Sequence, residues 1–263
     1  MSSDTEMSPT PEADSDVQID GLLAEEYTLG EQNISKKALV KRLTEMIEPE
    51  HSGETKVVVL AGGAASGKST LTQSLLEHLA NKDIPADTIS SDDYNLGDRI
   101  SRQLKFEGDN PAHPLEKWNL AFMNSQIAAI RKSKATGSIT RVPTYDQTTG
   151  VAVDLGQENY THQISPVSVL IVEGDMVQVD NPDASFYLHL NDHQRLHNRL
   201  VRDVKNRGGD NERTKASFWH RHHSQHLPYT LPLARNSDII IIINATEDNW
   251  RYSLYYKNKN AQG

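Results

Sequence analysis

The sequence predicts an α/β protein, with a mainly parallel sheet covered by helices on both faces. Two observations carry this reading. From residue 56 onward, short apolar runs alternate with helix-like segments. Three of those runs, "KVVVLAG" at 56–62, "VSVLIVEGD" at 167–175 and "SDIIIIIN" at 237–244, are continuously apolar, as strands buried on both faces are.

The elements follow in order. Residues 1–30 hold eight acidic side chains and no Lys or Arg, so the chain's net charge of −9 is −8 in this leader and −1 in the rest. A Ser/Pro/acid-rich stretch of this kind is expected to be disordered. Over 31–55, Ala38, Leu39, Leu43, Met46 and Ile47 recur at helical spacing until Pro49, which predicts a short amphipathic helix and a linker. The main domain is expected over 56–263. Its first apolar run leads into a helix over 68–80, a short strand over 86–91 and a long helix over 115–134. "SITRVPTYDQTTGVAV" alternates about a Thr-Thr-Gly turn and predicts a β-hairpin. Strands over 167–175 and 185–190 precede two helices, "DHQRLHNRLVRDVKNRG" and "ERTKASFWHRHHSQHL", and a last strand.

Composition excludes several classes. There is no cysteine, so disulfides and thiolate metal sites are ruled out, and a reducing, cytoplasmic setting is expected. No basic stripe suggests nucleic acid. No apolar stretch has the length of a membrane span, and the N-terminus does not read as a signal peptide. The expected partner is a small molecule, with self-association left open.

The chemistry is concentrated in "GGAASGKST". Residues 62–69 fit G-x-x-x-x-G-K-[ST], here between a strand and a helix. Gly62, Gly63, Ala64, Ala65, Ser66 and Gly67 let successive backbone N–H groups face a phosphate chain. Lys68 reaches the β- and γ-phosphates, Ser69 offers its hydroxyl to Mg²⁺, and Thr70 extends the helix start that favours an anion. ATP and Mg²⁺ are the implied ligands. A GTPase switch protein would carry N-K-x-D after a late strand, but "NKDI" at 81–84 has Ile84 in place of the acid and follows a helix. Asp92 and Asp93 stand at the end of the second strand, where open α/β sheets bind ligands. Asp92 there suits a general base or a metal-holding carboxylate. Asp93 suits a helix N-cap. Glu173, following four apolar residues, suits a metal ligand.

"GGAASGKST", "SSDDY", "NPAHPLEKW", "VPTYD", "LIVEGD" and "RLVRDVKNRG" come in the order and rough spacing of the phosphoribulokinase/uridine kinase family of P-loop kinases, which the chain resembles over about 56–245. The resemblance implies a P-loop NTPase three-layer sandwich with a β-hairpin and a helical lid. It implies Asp92 as catalytic carboxylate with Lys68. Ser69, Asp92 and Glu173 would lie at the metal, and Tyr94, His113, Tyr145 and Asp146 at the acceptor. Arg199, Arg202 and Arg207 would sit on a lid helix that closes over the phosphates. Arg199 and Arg202 are three residues apart and share a helix face.

Some positions depart from the uridine kinase pattern. Ala112 stands where an acid holds the ribose hydroxyls, and Gln147 and Gly150 stand where the base is met. The expected reaction is ATP-dependent phosphorylation of a small-molecule hydroxyl, with uridine or a related nucleoside first. Pantothenate, a sugar phosphate, another small metabolite and a non-catalytic nucleotide-binding regulator are the alternatives. His222 and His226 in "WHRHHSQH" are spaced to share a metal. No carboxylate or cysteine lies near them in sequence, so a surface or packing role is expected.

Overall fold

The computed structural model describes residues 14–49, 54–106, 112–146, 150–152, 161–205, 209–246 and 249–258. The chain runs α1 (Ser15–Glu26), β1 (Tyr27–Ile34), α2 (Lys36–Ile47), β2 (Lys56–Gly62), α3 (Lys68–Ala80) and β3 (Ala86–Ser90). A 3₁₀ turn, Ser91–Tyr94, leads to α4 (Arg99–Phe106), and a second, Pro114–Lys117, leads to α5 (Leu120–Thr136). Four short strands follow: β4 (Thr140–Pro143), β5 (Tyr145–Asp146), β6 (Val151–Ala152) and β7 (Thr161–Ile164). Then come β8 (Val169–Gly174), β9 (Ala184–His189), α6 (Asp192–Leu200) and α7 (Asn211–Arg221), and finally β10 (Ile239–Thr246) and β11 (Asn249–Lys257).

Seven strands form one sheet in the order β1-β11-β10-β9-β2-β8-β3. β10, β9, β2, β8 and β3 run parallel, and β11 and β1 close one edge antiparallel. The apolar runs predicted as buried strands are β2, β8 and β10, and Val57, Val58, Leu60, Leu170, Ile171, Ile240 and Ile241 are fully buried. On one face α2 and α3 pack Leu39, Leu43, Leu71, Leu75 and Leu79 against the sheet. On the other, α1 and α5 contribute Ile19, Leu23, Met123, Ile127 and Ile130. The result is the expected three-layer α/β sandwich.

The expectation of disorder through residue 30 is corrected. Asp14 caps α1 by accepting from the Asp16 N–H at 2.8 Å. Ile19, Leu22 and Leu23, three and four residues apart, bury one helical face. Asp20 and Glu25 are exposed, while Asp16 and Glu26 are half-buried beside that face, so average composition hid the buried stripe. β1 continues the chain into the sheet, with Tyr27 opposite Lys257. Residues 1–13 lie outside the described residues.

Two smaller differences concern the middle of the chain. The long helix starts at Leu120, because Pro114 begins a separate 3₁₀ turn and Asn119 caps α5 by accepting from the Phe122 N–H. Among the described residues the hairpin pairs Tyr145–Asp146 with Val151–Ala152, and β4 pairs with β7.

Candidate active site

The C-terminal ends of the parallel strands open into a polar cleft of about 2500 Å³, large enough for a nucleotide and a second small molecule. β2 ends in the loop that the sequence singled out. Gly67 adopts φ 95° at the start of α3, a left-handed conformation that suits glycine. Ala65 is also left-handed, at φ 62°, a local strain of order 1 kcal/mol that the surrounding loop holds in place. Lys68 folds back over the loop. Its Nζ donates to the carbonyls of Gly62 and Gly63 at 2.9 Å each and to Asp175 Oδ1 at 2.7 Å.

β8 delivers two carboxylates to the same place. Glu173 Oε1 accepts from Ser69 Oγ at 2.8 Å, and Oε2 accepts from Thr72 Oγ1 at 3.2 Å. A hydroxyl and a carboxylate side by side at the loop mouth are the hard oxygen donors that Mg²⁺ takes together with phosphate oxygens, so the residues present fit that ion. Desolvation in the cleft pushes the Asp175 carboxyl upward. Lys68, Arg195 and Lys117 outweigh it and hold the group below the usual carboxylate range.

β3 ends in the Ser90–Asp93 capping box. Asp93 is the structural member of the pair. Its Oδ2 accepts from the Ser90 N–H at 3.0 Å and its Oδ1 from the Tyr145 N–H at 2.8 Å, tying β5 to the end of β3. Burial raises its carboxyl to about 6, against those hydrogen bonds and with Asp92 and Glu173 adding to the rise. Asp92 is exposed toward the cleft, its Oδ1 3.3 Å from the Asn95 amide. Gly174 sets the distance between the two strand ends: a Cβ there would lie 2.1 Å from Ser91 Oγ and 2.7 Å from its Cβ.

The helical arm closes the cleft from the other side. Arg195 donates from Nε to the Ala64 carbonyl at 3.1 Å, and Asn198 from Nδ2 to the Ala65 carbonyl at 3.2 Å, so α6 grips the back of the loop. Arg199 and Arg202 both line the cleft and both bond Asp203, at 3.3 and 2.7 Å from their Nε atoms. Arg207 lies outside the described residues.

Of the residues expected at the acceptor, Tyr145 lines the cleft. Its hydroxyl accepts from Arg102 Nη2 at 2.9 Å, and Arg102 also donates to the carbonyls of Gly97 and Gly150. Tyr94 is corrected to a core residue. It is 2% exposed, packs its ring against Phe122 and donates to Gln126 Oε1 at 2.7 Å, because the turn after β3 aims it into the sandwich. His113 is corrected likewise: it caps the Pro114–Lys117 turn by accepting from the Leu115 N–H and rests edge-on against Tyr229, away from the cleft lining. Asp146 pairs in the hairpin opposite Val151 and is not among the lining residues either.

Sequence reasoning missed Asp175, Arg195, Arg102 and Lys117. Asp175 stood in plain view one residue beyond "VEG", at a strand end, and that position was the available signal. Lys117 sits in the cleft beside Trp118, its ammonium 4.8 Å from the indole centroid. Desolvation first, then Arg221, pushes it down to about 8.

The family model described as "Phosphoribulokinase / Uridine kinase family" matches residues 57–249. A uridine kinase of Staphylococcus haemolyticus is 29% identical over 195 residues, 71% of this chain and 87% of that protein. Among solved structures, phosphoribulokinase from Rhodobacter spheroides superposes with a TM-score of 0.56 at 15% identity, covering 81% of this chain and 83% of that one. D-glycerate 3-kinase from Cryptococcus neoformans gives 0.56 at 16% identity, covering 78% and 95%. The two structures share the fold; the family match spans most of the chain, and the protein therefore belongs to the phosphoribulokinase/uridine kinase family of kinases.

Proposed function

We propose that the protein is an ATP-dependent kinase that transfers the γ-phosphoryl group to a hydroxyl of a small molecule. The observation that carries this reading is convergence. Lys68, the Ser69–Glu173 pair and Asp92 come from three neighbouring strand ends and line one cleft. Mg²⁺, when bound, would neutralise charge on the β- and γ-oxygens. The chain's own groups do the rest. Loop N–H groups and Lys68 hold the phosphates. Asp92 takes the proton of the acceptor hydroxyl as its oxygen bonds to phosphorus and the bond to the β-phosphate oxygen breaks. Arg199 and Arg202 balance the charge that spreads over the transferring group.

For the acceptor, the sequence relative supports a uridine-type nucleoside. A second reading is favoured by Lys117 and Arg221, which line the cleft with Arg102 near Asp92. Three cations and Ala112 in place of an acid suit an acceptor that bears a phosphate or carboxylate. The test is ADP release with uridine, cytidine, pantothenate, glycerate and ribulose 5-phosphate as acceptors. Turnover with uridine or cytidine alone supports the nucleoside, and turnover with an acidic acceptor alone supports the second reading. No acceptor-dependent ADP with any of them, nor with a broader metabolite panel, overturns the kinase assignment and leaves a nucleotide-binding regulator.

A further inference from the structure

The fold supplies what the sequence lacked for His222 and His226. Asp192, in the first turn of α6, reaches the two imidazoles. One ligand atom from each of the three lies within 4.8 Å of the others, and all three residues are buried. His222 Nε2 is 3.5 Å from Asp192 Oδ2. Two ligands of one tetrahedral Zn²⁺, on arms of about 2.0 Å, are about 3.3 Å apart, so this pair already has nearly the required spacing. The imidazole planes of His222 and His226 are tilted by 31° with centroids 5.4 Å apart.

His226 is the second observation. It is 5% exposed, and neither ring nitrogen has a hydrogen-bond partner. A buried imidazole in that condition gains nothing for the two polar atoms it hides. Asp192 is held in place from outside, as ligating carboxylates are: Arg195 Nη1 donates to its Oδ1 and Ser15 Oγ to its Oδ2, both at 2.8 Å. Phe218 and Trp219 wrap the far side of His222 with apolar surface.

We propose that Asp192, His222 and His226 form a zinc site, separate from the Ser69–Glu173 pair, that ties the helical segment His222–Thr230, which follows α7, to the start of α6. Two imidazoles and a carboxylate are the donors that suit Zn²⁺, and three ligands leave a position for water. Through Arg195 and the Ala64 carbonyl, the site also braces the phosphate loop. The Arg195 charge opposes the ion, so its affinity should fall below that of a four-ligand zinc site.

The experiment uses the full chain, stripped with EDTA, in excess Mg²⁺ so that the Ser69–Glu173 pair is occupied. Zn²⁺ is titrated by calorimetry, and Co²⁺ is added as a spectroscopic probe. The expected result is one Zn²⁺ per chain, a melting temperature that rises with Zn²⁺, and a visible Co²⁺ band of tetrahedral intensity. His222→Gln and His226→Gln should each weaken binding at least tenfold and lose the band. His223→Gln, at an exposed neighbour, and Ser69→Ala should keep both. Absence of the band in the wild type, or an unchanged band in His226→Gln, overturns the site. Should the His variants fail to fold, the wild-type Co²⁺ spectrum decides, with Ser69→Ala excluding the loop as its source. Kinase activity enters none of these readouts.

Discussion

The ammonium of Lys68 lies 2.7 Å from Oδ1 of Asp175, and all three of its protons are committed, two of them to loop carbonyls. In the proposed kinase, a phosphate oxygen would replace one of these partners. Lys68→Ala should therefore lower kcat by about 10²–10³, the usual loss for one preorganised charge. Asp175→Asn, which still accepts a hydrogen bond but no longer holds the charge, should cost about tenfold. Steady-state ADP release checks both, with thermal melts as the control for folding.

As the proposed base, Asp92 would contribute mainly when the hydroxyl proton moves. Asp92→Asn should lower kcat by about 10²–10⁴ and leave ATP affinity within a few fold. Calorimetric ATP binding beside turnover separates the two. A loss confined to ATP affinity would make Asp92 a metal-positioning residue.

Gly174 leaves no room for a methyl group beside Ser91. Gly174→Ala should push the Ser91–Tyr94 turn away from β8, destabilising the fold by about 1–3 kcal/mol and reducing kcat with it. Adding Ser91→Gly removes the opposing atoms and should restore much of both, read by urea denaturation and turnover.

Asp93 binds its proton more tightly in the fold, at about 6 against 3.8. Between those values the native state carries more protons than the unfolded chain, so this group's contribution falls as pH rises through 6. The span corresponds to no more than about 3 kcal/mol. Wild type should therefore lose stability relative to Asp93→Asn between pH 4 and 7, measured by denaturant unfolding at each pH. Parallel pH profiles would assign the titration elsewhere.

α1 should behave as part of the core. Ile19→Ala and Leu23→Ala should each cost about 2–4 kcal/mol, because both side chains are buried against the sheet. Val17→Ala, 56% exposed, should cost under about 0.5 kcal/mol. Melting curves of the three variants check the contrast.

How legible this protein was in its sequence depended on how local each signal is. β2, α3 and the loop between them could be read directly, because the glycines, Lys68 and the apolar run are contiguous. Glu173 was legible from the end of an apolar run. The Asp192–His222–His226 grouping was not, since it joins the start of α6 to the segment after α7, at least thirty residues further along the chain. Tyr94 and His113 were misplaced for a related reason. A motif gives a residue's place along the chain, whereas the turns Ser91–Tyr94 and Pro114–Lys117 decide which way its side chain points. α1 was lost to averaging, its three buried apolar residues diluted by the acid around them.

The pairing of β1 with β11 has a consequence for how the chain comes into being. Tyr27 sits opposite Lys257, and the Asn258 N–H donates to the Glu26 carbonyl. On a ribosome adding about 5–20 residues per second, β1 emerges roughly 10–50 s before its partner exists. During that interval it is an open strand edge, free to pair with a neighbouring nascent chain. Its exposed side chains include Thr28, Gln32 and Asn33 and only one large apolar group, Leu29, a composition that weakens such pairing until β11 arrives.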